Sequence, residues 1–106
     1  MQTVEVGIED VEEARAELAL AESESAKRAM RLAEEDADEA VALSREDSEM
    51  SSAWAKAARE HAGLAFGHFT RAHRAAPGSP AARQAKQHAD LAAGYAHAAE
   101  AAARRD

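Results

Sequence analysis

The apolar residues of this chain recur with the period of an α-helix over most of its length. Residues 80–104 and residues 58–76 each carry small apolar side chains at alternating spacings of three and four. The first set is Ala82, Ala85, Ala89, Ala92, Ala96, Ala99 and Ala103, and the second is Ala58, Ala62, Ala65, Phe69, Ala72 and Ala76. Such a stripe is typical of a helix that buries one face against another helix. We therefore expect two antiparallel helices that approach each other closely.

Two breaks divide this helical pattern. In the stronger break, Pro77-Gly78-Ser79-Pro80, the glycine favours a helix end, the serine can cap the next helix and the second proline suits its first turn. The softer break is the serine-rich window 44–52. There Ser44 with Asp47, or Ser48 itself, can cap a helix, and a continuous helix through the window is the alternative.

The pattern thus predicts one all-α domain over residues 1–106, with helices at about 8–44, 48–76 and 80–104. The architecture is an antiparallel alanine-rich three-helix bundle or a long helical hairpin, and residues 1–7 are expected to fray.

The first predicted helix is longer than the other two. At 1.5 Å per residue it extends over roughly 55 Å. Its apolar stripe consists of Ile8, Val11, Ala14, Leu18, Ala21, Ala29, Ala33, Ala37 and Ala40. If the chain turns near 44–48, residues 8–18 project past the end of the second helix. Because the bulky aliphatic residues of the stripe lie in that segment, we expect another protein surface to cover them.

Composition strengthens this expectation. Alanine occupies 31 of the 106 positions, so most of the apolar content is methyl groups. Burial of a methylene-sized group stabilises a fold by only about 0.8 kcal/mol. A small domain with so thin a core is marginal alone and often forms oligomers.

The charges of the chain are divided between its halves. Residues 1–50 hold 16 Asp and Glu with 5 Lys and Arg, a formal net charge of −11, whereas residues 51–106 hold 4 and 8, a net charge of +4. The acidic run Glu34-Glu35-Asp36-Ala37-Asp38-Glu39 is interpreted as a solvated helix face directed towards the basic half. The split predicts that the halves fold onto each other or that one half recruits a partner of opposite charge.

Histidines provide the first candidate binding site. No two of the five are three or four residues apart, so one helix alone cannot hold a metal with two of them. If the second and third helices fold about Gly78, however, His68 and His88 lie at one level. That pair is a candidate metal site or pH-sensitive couple, and ordinary boundary histidines are the alternative.

The aromatic residues provide the second candidate site. Tyr95 falls across the same hairpin from His61, and Phe66 and Phe69 lie on one face of the second helix. These four residues are a candidate ligand pocket, and the alternative is that the rings fill the bundle where alanine is too small. Trp54, beside the serine-rich window, is expected either to close the end of the bundle or to contact a partner.

Several functional classes find no support in the sequence. The chain has no cysteine, no glycine-rich phosphate loop and no serine near a histidine, so we expect no enzyme and no cofactor. The acidic net charge of −7 argues against nucleic-acid binding. With no apolar run of transmembrane length and no signal peptide, we expect no membrane association and a cytoplasmic location, with leaderless secretion as the alternative.

Together these features indicate a non-catalytic module for protein–protein interaction or oligomerisation. The expected contact residues are Ile8, Val11, Leu18 and Trp54, and the expected partner is a protein or a second copy of this chain. The alternative is a small helical ligand- or metal-binding protein that uses a histidine and tyrosine cluster between the second and third helices.

Overall fold

Three α-helices joined by two short turns make up the computed structural model, which describes residues 7–104. Helix α1 spans Ile8–Leu43, α2 spans Ser48–Ala75 and α3 spans Pro80–Ala103. Each of the three packs against both of the others. The all-α prediction is therefore confirmed, with helix ends within one residue of the predicted ones, and the architecture is the bundle rather than the two-helix hairpin.

The first turn settles the question left open by the window 44–52. Residues 44–47 lie between the helices, so α1 does not continue into α2. Asp47 caps α2 by accepting a hydrogen bond from the backbone N–H of Met50 at 3.1 Å. The predicted serine caps are not used, since Ser44 instead donates its hydroxyl to the carbonyl of Val41 at 2.9 Å. A carboxylate at this position also complements the positive end of the helix dipole.

The second turn forms as its sequence predicts. Gly78 adopts a φ of 71°, a left-handed conformation that costs glycine no steric penalty. The Ser79 hydroxyl then accepts a hydrogen bond from the N–H of Ala82 at 3.1 Å, with Pro80 as the first residue of α3. The turn reverses the chain and sets α3 antiparallel to α2.

The core consists of alanine. Within residues 7–104, every buried apolar residue is an alanine, and the largest fully buried side chain is that of Ser51. The buried alanines are Ala19, Ala26, Ala29, Ala33, Ala37, Ala40, Ala55, Ala58, Ala65, Ala72, Ala82, Ala85, Ala89, Ala92, Ala96, Ala99 and Ala102. With only methyl groups between them, the three helix axes lie close together along the whole seam.

The buried face of α1 differs from its predicted stripe in one stretch. Ala21 is exposed, and Ala19, Ser23 and Ala26 are buried in its place. From residue 19 onwards α1 packs against two helices at once, so its buried face is centred between α2 and α3.

The molecule is long and thin. Its principal extents are 72 × 23 × 14 Å and its radius of gyration is 18.2 Å, where a compact domain of this length has about 13 Å. Its accessible surface is 7269 Å², compared with about 5,700 Å² for a compact monomer of 11.3 kDa. The fold therefore exposes far more surface than its mass requires.

A paired substitution tests the close approach of the helices. Ala92 is fully buried in α3 and its neighbour Ala93 is exposed. We expect Ala92→Leu to lower the free energy of unfolding by about 1–3 kcal/mol or more, because the added carbons have no space in the seam. Ala93→Leu adds the same atoms outside the seam and should change it by less than about 0.5 kcal/mol. Urea unfolding of both variants measures the difference, and equal values would contradict an alanine-only seam.

Candidate functional site

The start of α1 stands beyond the other two helices. We call residues 8–18 the overhang. Every residue in it is exposed, and the first buried residue of the helix is Ala19. Ile8 retains 79% of its accessible surface, Val11 38% and Leu18 51%. The first turns of the segment therefore project as the sequence predicts, and only its base, at Arg15 and Leu18, lies beside the end of α2.

The overhang is acidic as well as apolar. It carries five carboxylates and one arginine, which gives a formal net charge of −4. Glu9 and Asp10 lie in the first turn, where negative charge stabilises the exposed N–H groups of a helix. Because the segment extends an already packed helix, it also needs no nucleation of its own. Both features favour a helical overhang in the absence of neighbouring helices.

A basic groove lies at the base of the overhang, where α1 meets the end of α2. Its lining combines an apolar floor with positive charges, and its residues are Arg15, Leu18, Glu22, Arg71, Arg74 and Ala75. Arg71 donates to Glu22 at 3.2 Å. Among the residues that the structure describes, neither Arg15 nor Arg74 takes part in an ion pair. The groove thus presents two uncompensated guanidinium groups beside exposed aliphatic surface.

Trp54, the fourth expected contact residue, lies at the opposite end of the molecule. It is half-buried and packs against the core alanines nearest the turn between α1 and α2. The carboxylates of Glu35, Asp38 and Glu39 surround its exposed edge. The structure therefore does not bring Trp54 together with Ile8, Val11 and Leu18.

Two histidines of α2 bind carboxylates of α1. The Nδ1 atom of His61 lies 2.5 Å from Asp36, and that of His68 lies 2.7 Å from Glu22. His68 Nδ1 is also 2.9 Å from a guanidinium nitrogen of Arg71. One ring nitrogen cannot donate to Glu22 and accept from Arg71 together. We assign donation to the carboxylate, because a hydrogen bond to a charged acceptor is the stronger of the two.

Tyr95 and His88, on α3, face the other side of α1. The Tyr95 hydroxyl donates to Glu34 at 2.6 Å. The charged groups nearest the His88 ring are Lys27, Glu24 and Arg31, all on α1.

The predicted pairs therefore do not form across α2 and α3. His61 and His68 lie in the groove between α1 and α2, whereas His88 and Tyr95 lie in the groove between α1 and α3. The prediction rested on the hairpin of α2 and α3 alone, whereas the acidic partners of these side chains lie on α1.

These contacts shift two acid–base equilibria. Partial burial acts to raise the pKa of Glu22, but hydrogen bonds from His68 and Arg71 outweigh it and hold the pKa below its usual 4.5. The hydrogen bond to Glu34, followed by partial burial, raises the pKa of Tyr95 above its usual 10.0. Both shifts keep the groups in the form that their partners require: an ionised Glu22 accepts, and a protonated Tyr95 donates.

His88 is the exception among these polar contacts. Within residues 7–104, its Nδ1 is the one buried side-chain nitrogen or oxygen without a hydrogen-bond partner. Burial lowers the pKa of His88 below its usual 6.5, the positive charges of Lys27 and Arg31 lower it further, and Glu24 opposes them. The surroundings of the ring therefore favour its neutral form over its charged form.

Phe66 and Phe69 meet on α2, and of these two only Phe69 packs against an alanine cluster that Tyr95 also contacts. Their ring centroids are 6.0 Å apart in an edge-on arrangement, and the Phe69 ring lies 5.9 Å from that of His73. Phe69 packs into the alanine core, whereas Phe66 retains 61% of its surface. The four residues of the predicted ligand pocket are thus distributed over different grooves.

Over residues 7–104, no three histidine, aspartate or glutamate side chains converge as metal ligands. In the same range, no helix combines the length and the hydropathy needed to span a membrane.

Sequence reasoning missed Asp36 and Glu22. Asp36 was grouped with the solvated acidic run, yet it is buried at 4% exposure. A usable signal was present, because Asp36 follows Ala33 by three residues and precedes Ala40 by four, which places it on the alanine face. Glu22 gives a similar signal, since it lies beside buried Ser23 and three residues after buried Ala19. Carboxylates in the seam of a helix indicate basic partners on the helix that faces it.

Comparison with known proteins adds no relative: no family model, no curated protein and no solved structure matches the chain.

We expect the Asp36–His61 contact to contribute measurably to stability. His61→Ala leaves a buried carboxylate without its partner, which costs about 1–3 kcal/mol in the free energy of unfolding. Asp36→Ala with His61→Ala removes both polar groups, so the double variant should lose less than the sum of the two single losses. Chemical denaturation of the four proteins in the cycle measures the coupling. Additive losses would show that the two side chains do not interact.

The neutral His88 predicts a specific pH dependence. Because its pKa is lower in the folded chain than in the unfolded one, the unfolded chain binds more protons as the pH falls. The contribution of His88 to stability is complete above about pH 6.5 and declines as the pH falls from there towards the lowered folded value. We therefore expect the stability difference between the native protein and a His88→Gln variant to shift against the native protein between pH 7.5 and 5.5.

Exposed His97 provides the matched control for this measurement. A His97→Gln variant should track the native protein across the same range. An equal pH dependence of the His88→Gln and native proteins would contradict the assignment.

Proposed function

We propose that this chain is a non-catalytic module that binds another helical protein segment through the overhang of α1. The observation that carries the proposal is the exposure of Ile8, Val11 and Leu18 on the segment of α1 that projects beyond the other two helices. Burial of such side chains stabilises a complex by roughly 1.5–3 kcal/mol each.

The spacing of the overhang supports a helix as its partner. Ile8, Val11, Arg15 and Leu18 follow one another at intervals of three, four and three residues, the repeat of a coiled-coil seam. A second helix packs into such a stripe with its own side chains between those of the first. A small-molecule pocket needs a concave surface instead, whereas a single projecting helix is convex.

The large accessible surface of the fold also supports an interaction function. The 7269 Å² of accessible area exceeds the surface of a compact monomer by more than one thousand Å². A stable protein–protein contact buries about 1,200–2,000 Å² in total. The long, thin bundle thus has the surface that an interaction module uses.

A photo-crosslinking residue at Val11 tests this function directly. In the full chain, in the cells that make it, we expect position 11 to give one dominant protein adduct of defined mass. Ile8→Asp with Leu18→Asp should remove that adduct, because it replaces two apolar contacts and lowers the affinity by about 100-fold or more. Circular dichroism should show that the variant keeps its helix content.

Leu64 and Leu91 provide the matched control, since they retain 55% and 51% of their surface on the body of the bundle. Leu64→Asp with Leu91→Asp should leave the adduct at position 11 unchanged. If position 11 gives no adduct, or if both double variants abolish it equally, the overhang is not the binding surface.

A further inference from the structure

We propose that the partner of the overhang is a second copy of this chain, which lies antiparallel to the first about a two-fold axis beside residue 13. This inference rests on the proposed function and specifies the occupant of that same surface. Its starting point is that one chain carries both halves of a complementary contact: an acidic, apolar overhang and a basic, apolar groove.

The two halves cannot meet within one chain. They lie on the same continuous helix, with Ile8 ten residues before Leu18 and therefore roughly 15 Å from it. A straight helix cannot fold its first turn back onto its own base. Two chains can make the contact, because each overhang then reaches the groove of the other.

An antiparallel arrangement brings matching side chains together. When Ile8 of one copy lies opposite Leu18 of the other, Val11 lies opposite Arg15, and the same two contacts repeat on the far side of the axis. The aliphatic stem of Arg15 can cover Val11 while its charged end reaches Glu12 of the second copy. The contact is self-complementary and closed, as two-fold interfaces are.

Charge selects this direction over the alternatives. The antiparallel pair places the first-turn carboxylates Glu9 and Asp10 beside the groove of the second copy, where Arg15 and Arg74 have no ion pair of their own. A parallel pair in register would instead place Arg15 against Arg15 and Glu12 against Glu12, so that like charges would meet at each level of the contact. Like charges held together oppose association, so the antiparallel pair is favoured.

The contact involves about three turns of helix from each copy, which is small beside a standard interface of about 1,600 Å². We therefore expect a dimer that dissociates on dilution. Sedimentation equilibrium of the purified native chain should give twice the mass of one chain at high concentration, and a mass that approaches 11.3 kDa as the concentration falls.

Two charge-reversed variants test the arrangement. Arg15→Glu with Arg74→Glu makes the groove acidic, and Glu9→Arg with Glu12→Arg replaces two of the five carboxylates of the overhang with arginine, which takes its formal net charge from −4 to zero. Each variant alone then opposes like charges at both contacts and should have the mass of a single chain at concentrations where the native protein is dimeric. An equimolar mixture restores both contacts, since each overhang faces a groove of opposite charge, and should return to twice that mass.

A second pair of variants leaves Glu9 unchanged, because Glu9→Arg could cause the first turn of α1 to fray and so prevent dimerisation by itself. Arg15→Glu and Glu12→Arg, each as a single substitution, act only on the central contact and should show the same loss alone and recovery on mixing. Arg45→Glu with Lys56→Glu is the matched control, because it makes the same change of charge at exposed positions near the other end of the bundle. That control should remain dimeric.

The inference is overturned if the native chain has the mass of one chain at all concentrations, if the reversed variants remain dimeric alone, or if their mixture stays monomeric. The crosslinking at position 11 keeps this result separate from the proposed function. A monomeric native chain whose Val11 position captures a different, defined protein would overturn the two-fold dimer and support the interaction module. A monomeric chain with no adduct would overturn both.

Discussion

The methyl–methyl contact along a seam of alanines is the interaction on which the rest of this structure depends. No buried apolar side chain between residues 7 and 104 is larger than a methyl group, so the three helices can approach closely along their common length. That closeness forces every larger side chain to the edges of the seam. The histidines and most of the carboxylates therefore lie in the grooves between helices, and Trp54, Phe69 and Tyr95 are only partly buried and pack against the alanine clusters. Asp36 is the one carboxylate within residues 7–104 that is buried among them.

Contacts between identical alanines do not determine how far one helix is displaced along another, and the polar contacts supply this alignment. Displacement of one helix by seven residues would place alanine on alanine again, so the methyl contacts alone do not fix the alignment. The pairs Asp36–His61 and Glu22–His68 do so between α1 and α2, together with the hydroxyl of Ser51, which donates to the carbonyl of Ala40 at 2.7 Å. The Tyr95–Glu34 hydrogen bond performs the same task between α1 and α3. The polar groups thus determine how the helices are aligned along their axes, while the alanines determine the distance between those axes.

The fold could be predicted from the sequence because it follows from local signals. The spacing of the alanines, the Gly78-Ser79-Pro80 turn and the acidic first turn of α1 each act within a few residues. The overhang also followed from simple arithmetic on helix lengths. The histidine pairs could not be obtained in this way, because the partner of His68 lies on α1 and depends on how three helices pack. The burial of Asp36 could not be predicted for the same reason. A carboxylate within an acidic run is expected to be exposed to solvent unless the helix that packs against it is known.

The scarcity of large buried side chains also affects how the protein responds to temperature. An unfolded chain of this mass exposes about 16,400 Å², so folding to 7269 Å² removes roughly 55% of it, and much of the apolar part is methyl surface. The heat capacity of unfolding scales with the apolar area exposed, and here it should lie below the usual 12–15 cal/mol/K per residue. A small heat capacity change flattens the dependence of the free energy of unfolding on temperature. The bundle is therefore built to keep a modest stability nearly constant over a wide range of temperatures, rather than a large stability at one.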